Sequence, residues 1–136
     1  GAPAAEVVPP LVAGPLKRLR KAVKALPDDA APEDLHRVRI LAKRARYASE
    51  AAEPLAGDPA AALADALAEV QDVLGAYQDA IVAEAWLRSA AEGTDASGSL
   101  AIGELIALQL TEAQAARRRW PKAWKKAADK KLRKWL

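Results

Sequence analysis

LHRVRILAKRARY, residues 35–47, holds the chain's single histidine, five cations (Arg37, Arg39, Lys43, Arg44 and Arg46) and one of its two tyrosines. Wound on a helix at 100° per residue, the stretch separates into two faces. Val38, Leu41 and Ala45, continued by Ala48 and Ala52, form an apolar stripe. His36, Arg39, Lys43, Arg46 and Tyr47 gather opposite it as a ladder of hydrogen-bond donors. A buried stripe backed by such a ladder predicts an amphipathic helix that presents cations to an anion.

Working outward, Pro15 suits the first position of a preceding helix that Pro27 ends. There Leu16, Leu19, Val23 and Leu26 make a buried stripe, and Lys17, Arg20, Lys21 and Lys24 share a second cation face, with Arg18 pointing elsewhere. Residues 1–14, rich in Pro and Gly, read as an irregular lead-in or linker to a helical domain over 15–136. The motif helix is expected from Pro32, with Glu33 and Asp34 in its first turn, to Pro54 or Leu55. Gly57 ends it, and Asp58-Pro59 opens a third helix that runs to about Ala91 and is interrupted only by Gly75. Leu63, Leu67, Val70, Leu74, Ile81 and Trp86 supply its apolar spacing. After a small polar loop, a fourth helix begins near Leu100 and passes Leu105, Leu108 and Ala115 to the Arg117-Arg118-Arg119 run. Pro121 is expected to kink or break it. Lys122 to Leu136 reads as a last helical piece carrying Trp120, Trp124, Ala128 and Trp135 on one stripe. No period-2 pattern occurs, so the chain reads as all-α, an antiparallel four-helix bundle.

The composition narrows the chemistry. The 136 residues suffice for one domain with a core, and alanine-rich faces suit closely packed helices. Without cysteine there is neither a disulfide nor a thiolate metal site, and one histidine makes an imidazole metal site improbable. No apolar run is long enough to span a bilayer and no signal peptide is visible, which predicts a cytoplasmic location and no membrane partner. The net charge of +3 hides a strong segregation. Residues 16–46 carry ten Lys/Arg against four acids, and residues 117–136 ten against one. Everything else holds thirteen acids and one cation, Arg88. Two basic blocks around an acidic middle predict a polyanion site, or else basic and acidic helices pairing with each other.

LHRVRILAKRARYASEAAEPL (35–55) resembles the signature helix of the CHAD family, the conserved-histidine α-helical domains. LAEVQDVLGAYQDAIVAEAWL (67–87) is similar to that family's partner helix, and the basic, Trp-bearing C-terminus to its ending. The resemblance implies a domain of two four-helix halves related by a pseudo-two-fold axis. This chain has one His/Arg helix and resembles one half, the C-terminal one by its ending. The family further implies binding of inorganic polyphosphate by a basic surface between the halves, with the chain paired to a second copy or to a missing N-terminal half. Association with polyphosphate granules follows from the same resemblance.

The expected binding residues are therefore His36, Arg39, Lys43 and Arg46, with Tyr47 a packing residue whose hydroxyl enters the site. Lys17, Arg20, Lys21 and Lys24 extend the ladder. Arg37 and Arg44 flank it or pair with acids, and Arg117, Arg118, Lys122, Lys125 and Lys126 prolong it on the tail. Planar guanidinium forks suit phosphate oxygens. His36 can donate a hydrogen bond to such an oxygen, or become cationic beside it. Asp72, Gly75 and Asp79 share one face of the third helix. Paired carboxylates there could do acid/base or Mg²⁺ work; the reading preferred is that Asp72, Asp79 and Gln71 orient the arginines while Gly75 allows close helix contact. No catalytic residue, metal or cofactor is expected. Two other functions fit the charge: a nucleic-acid-binding module, disfavoured because no aromatic reads as exposed on the cation face, and an accessory domain of a triphosphate- or polyphosphate-processing enzyme.

Overall fold

The computed structural model describes residues 4–136, which form four helices and a short 3₁₀ turn with no strand among them. The helices are α1 (Ala4–Lys24), α2 (Pro32–Ala56), α3 (Asp58–Ala91) and α4 (Ala96–Ala127), followed by the 3₁₀ turn Lys130–Arg133. Each helix packs chiefly on its neighbour in sequence, α1 on α2, α2 on α3 and α3 on α4, and the 3₁₀ turn returns to α3. The all-α bundle expected from the periodicity is what the chain forms.

Its core is drawn from one stripe per helix. Leu35, Val38, Ala42, Ala45, Ser49 and Ala52 are buried on α2, and Leu63, Leu67, Val70 and Leu74 on α3. Leucines this enclosed contribute about 1.5–3 kcal/mol each. Ser49, the only fully buried polar side chain described, is satisfied because its hydroxyl donates to the Ala45 carbonyl at 2.9 Å. On α4 the buried positions are alanines, Ala113, Ala116, Ala123 and Ala127, while Trp120, Trp124 and Trp135 pack half-buried around the core.

Two boundaries differ from expectation. The segment read as an irregular lead-in is helical from Ala4 onward, despite Pro9, Pro10 and Pro15 inside α1; residues 1–3 lie outside the described residues. Val8 and Val12 continue the buried stripe of Leu16 and Leu19, and burying them outweighs the backbone hydrogen bonds that the prolines forgo. Pro121, likewise, does not end α4, which starts at Ala96 under an Asp95 cap (Oδ1 accepts from Gly98 N–H at 2.8 Å) and runs to Ala127. Pro121 is exposed while Trp120, Ala123 and Trp124 on either side hold the helix to the core. Beyond Ala127 the chain makes the 3₁₀ turn, with Asp129 accepting from Lys131 N–H at 2.9 Å, instead of the longer helix expected to Leu136.

The α2–α3 corner fixes what matters for the ladder. Gly57 takes a positive φ of 68° between the two helices and donates its N–H to Glu53 O at 2.8 Å, a backbone state that side-chain-bearing residues resist. The tight corner lays α3 antiparallel along α2.

Candidate functional site

Because α2 and α3 run antiparallel, the ladder on α2 meets a stripe on α3 rung by rung. His36 stands opposite Gln78, Arg39 opposite Gly75, and Arg46 opposite Gln71. From His36 to Arg46 the ladder covers about 15 Å at the helical rise per residue.

The lowest rung is a three-way contact. His36 Nδ1 and Arg39 Nη1 (3.4 Å) both address Gln78 Oε1. Arginine has no acceptor, so the atom it faces must be the amide oxygen rather than the amide nitrogen. Gln78 Oε1 accepts from His36 when Nδ1 carries the ring hydrogen, and His36 Nε2 makes no hydrogen bond among the described residues. Glu33, Tyr77 and Ile81 line a cavity of about 230 Å³ beside this pair.

One turn on, the Arg39 guanidinium lies over Gly75. A Cβ at that glycine would come within 3.3 Å of Arg39 Nε and 3.4 Å of Nη2. Gly75 thus makes room for a cation and not, as expected, for helix backbone. Arg39 Nε is buried and has no hydrogen-bond partner among the described residues. Lys43 is exposed, with its Nζ 5.6 Å from the Tyr47 ring centre, and Arg46 Cζ is 5.8 Å from the same ring. Tyr47 is 51% exposed, so it is a platform for two cations and not a packing residue.

Among the described residues Arg46 alone in the ladder has a carboxylate partner. Its Nε donates to Glu50 Oε1 at 2.8 Å and its Nη1 to Gln71 Oε1 at 3.1 Å. The Glu50 hydrogen bond raises the Arg46 pKa above its ordinary value, with the charges of Glu50, Tyr47 and Asp72 adding to it and desolvation opposing. Asp72 and Asp79, expected to orient the arginines, are exposed and make no hydrogen bond or ion pair to a ladder cation among the described residues. Amides do that work here: Gln71 as expected, and Gln78, which the sequence reading passed over. The available signal was its seven-residue spacing from Gln71, two helical turns along one face.

The remaining expected cations fall into separate places. Lys21 and Arg37 line a cleft of about 360 Å³ between α1 and α2, together with Asp34. Lys17 and Arg20 line another cavity with Arg133 and Leu136 from the C-terminus. Arg133 was not singled out before; its Nη1 donates to the Ala128 carbonyl at 2.7 Å. Lys24 and Arg44 are exposed. Arg117 is half-buried: Nη2 donates to the Ala30 carbonyl at 2.7 Å and Nη1 to the Tyr77 hydroxyl at 3.4 Å, which ties α4 to the α1–α2 loop. Arg118, Lys122 and Lys125 are exposed on α4, and Lys126 Nζ pairs with Glu69 of α3 at 3.6 Å. The cations expected in one groove of α1, α2 and the tail are thus distributed, with Lys21 and Arg37 between α1 and α2, Lys17 and Arg20 beside Arg133, and the His36 ladder along α3.

Nothing in this arrangement gathers three or more metal-ligating side chains among the described residues, and none of the described helices is long and apolar enough to cross a membrane. A helical bundle with a histidine–arginine ladder on its second helix, faced by a Gln/Gly stripe on its third, defines the class. The family model of the CHAD domain matches residues 1–88, which contain α2 and all but the last three residues of α3, and the chain belongs to the CHAD family. CHAD domains are known from polyphosphate-related proteins and are in general binding modules. No curated protein and no solved structure matches the chain.

Proposed function

We propose that the chain is a non-catalytic module that binds inorganic polyphosphate along the α2–α3 groove, with His36, Arg39, Lys43 and Arg46 as its contacts. The observation that carries this reading is the state of Arg39 and Lys43. Two neighbouring cations share one face without a carboxylate partner, and one of them keeps a buried N–H without an acceptor. Polyphosphate bears about one negative charge per phosphate, so a track of regularly spaced, uncancelled cations matches it by charge alone. Many modest contacts along one flexible chain give avidity and steep salt dependence. The Lys21–Arg37 cleft and the Lys17–Arg20–Arg133 cluster are secondary basic surfaces for a longer polymer. Arg117 is assigned to holding the fold.

Exposed apolar residues of α3 and α4 extend the proposal. Val82 and Trp86 follow Gln78 at four-residue steps along α3 and are 60% and 69% exposed, and on α4 Leu105 and Leu108 are exposed too. We assign this patch to a second copy of the chain or a separate companion half, which would bring a second ladder to face the first. Native mass measured with and without polyphosphate tests the pairing.

Titration with polyphosphates of increasing length at several salt concentrations tests the function. Affinity should climb with length and fall steeply with salt. Equal affinity for orthophosphate and long chains, or indifference to Arg39→Ala with Lys43→Ala, would refute it. Nucleic acid is the second reading, and exposed Tyr47 beside two cations favours it, because a base can stack on such a ring. Displacement of polyphosphate by excess RNA at physiological salt would transfer the assignment. Phosphate release in the presence of Mg²⁺ would instead mark a processing role.

A further inference from the structure

We propose that Gln78 is the positioning residue of the ladder, an uncharged acceptor that holds His36 and Arg39 in register while leaving their positive charge uncancelled. The inference rests on the anion-binding reading of the groove. Its observation is the choice of side chain at this point of α3. Carboxylates are close in sequence, Asp72 and Asp79, yet both are exposed and unpaired with the ladder, and the atom that meets His36 and Arg39 is an amide oxygen. Gln71, one heptad earlier, also accepts from Arg46, on a rung that Glu50 pairs in addition. An acceptor is needed in both places, because half-buried guanidinium and imidazole N–H groups without partners would wander or withdraw into solvent. A carboxylate would accept equally well but would neutralise one cation per rung, and a polyanion would then meet a ladder already filled.

The contact also selects a tautomer. With Nδ1–H committed to Gln78, the neutral His36 ring turns its Nε2 lone pair to the open side. Glu33 on α2, Arg39 on the next turn, and Tyr77 and Gln78 on α3 are the polar or charged groups around the ring. Gln78 is compatible with either protonation state of His36, since it asks only for the proton on Nδ1.

The test uses the whole chain, whose single histidine makes its imidazole spectrum unambiguous. Long-range proton–nitrogen correlation on the ligand-free protein, at a pH where the ring is neutral, should show the Nδ1–H form. Gln78→Leu should shift it toward the Nε2–H form ordinary in water, and Gln78→Glu should keep it. Polyphosphate binding at fixed chain length should then separate the variants. Gln78→Leu should weaken it several-fold through lost register. Gln78→Glu should weaken it at least as much, with a salt slope shallower by about 0.7, the contribution of one phosphate contact on a single-stranded polyanion. A merely structural acceptor would let Gln78→Glu bind as the parent does, and that result overturns the proposal. An Nε2–H ring in the parent protein overturns it as well. A parent with the Nδ1–H ring that binds no polyphosphate overturns the polyphosphate reading alone, and the spectrum then supports Gln78 as the residue that orients His36.

Discussion

Replacing Gly75 by alanine sets two consequences of one methyl group against each other. Gly75 is buried in the middle of α3, where glycine costs a helix about 0.5–1 kcal/mol relative to alanine. The three atoms nearest an added Cβ all belong to Arg39, at 3.3 Å for Nε, 3.4 Å for Nη2 and 3.6 Å for Cζ. That is too close by a few tenths of an ångström, but the obstacle is the end of a flexible side chain, which yields far more cheaply than packed backbone. Folding stability should therefore rise, by at most about 1 kcal/mol, or about 4 °C in melting temperature for a domain of this size. The guanidinium that yields leaves its place in the ladder. Its Nη1 is already 3.4 Å from Gln78 Oε1, so a further outward shift breaks that contact. At 3.4 Å that contact is already at the long limit of a hydrogen bond, so its loss subtracts little from folding stability, whereas a guanidinium displaced from the track should weaken polyphosphate binding several-fold. Thermal melting and polyphosphate titration on one sample should thus move in opposite senses, hotter melting with weaker binding. A variant that melts lower and binds as before would refute the reasoning, because Gly75 would then be serving contact between helices and not a place for Arg39.

Other substitutions separate binding from folding. Arg39→Ala with Lys43→Ala should keep the helical circular-dichroism signal, flatten the salt slope of polyphosphate binding by about 1.4 and lower affinity at least tenfold. Arg117→Met removes the 2.7 Å donor to the buried Ala30 carbonyl, and chemical denaturation should report a loss of about 1–3 kcal/mol with ladder affinity unchanged. Pro121→Ala restores an N–H to an exposed position inside α4, and should stabilise the fold by up to about 3 kcal/mol in the same measurement. Trp86→Ala, at a side chain 69% exposed, should leave the melting temperature of the single chain within about 2 °C while lowering the native mass if a second copy covers the patch.

What could be read in the sequence was whatever a single helix decides for itself. The stripe of Val38 and Ala45 and the ladder opposite it follow from 100° periodicity, and both are where the spacing put them. Relations between helices were harder. The prolines of α1 signalled a break, because the sequence does not show that Val8 and Val12 have a core to enter. Trp86 fits the apolar rhythm of α3 yet lies in the open, since periodicity marks an apolar face without saying what covers it. Gln78 carries no charge and breaks no pattern, so only the antiparallel register of α2 and α3 discloses it. Arg117 belongs to a run of three arginines that looks uniform, and its reach to Ala30 depends on how α4 lies against the α1–α2 loop.

The amide-for-carboxylate arrangement has a thermodynamic consequence. Cations held close on one face repel one another, and this self-repulsion lowers the stability of the free protein. Among the described residues, only Arg46 of the four ladder residues is relieved by a carboxylate, Glu50, while Arg39 additionally keeps an unpaired buried N–H. The free protein therefore holds unfavourable electrostatic energy that a polyanion bound as proposed would remove. Stabilisation by ligand grows with the ratio of free ligand to its dissociation constant, and here it should shrink with added salt for two reasons. Salt weakens the binding by making counterion release less favourable, and it screens the repulsion that the ligand would otherwise have relieved. A ladder neutralised in advance by Asp or Glu partners would show the first dependence without the second. The free protein would then gain no stability from moderate salt, whereas the ladder held by Gln71 and Gln78 should melt at a higher temperature as salt is added.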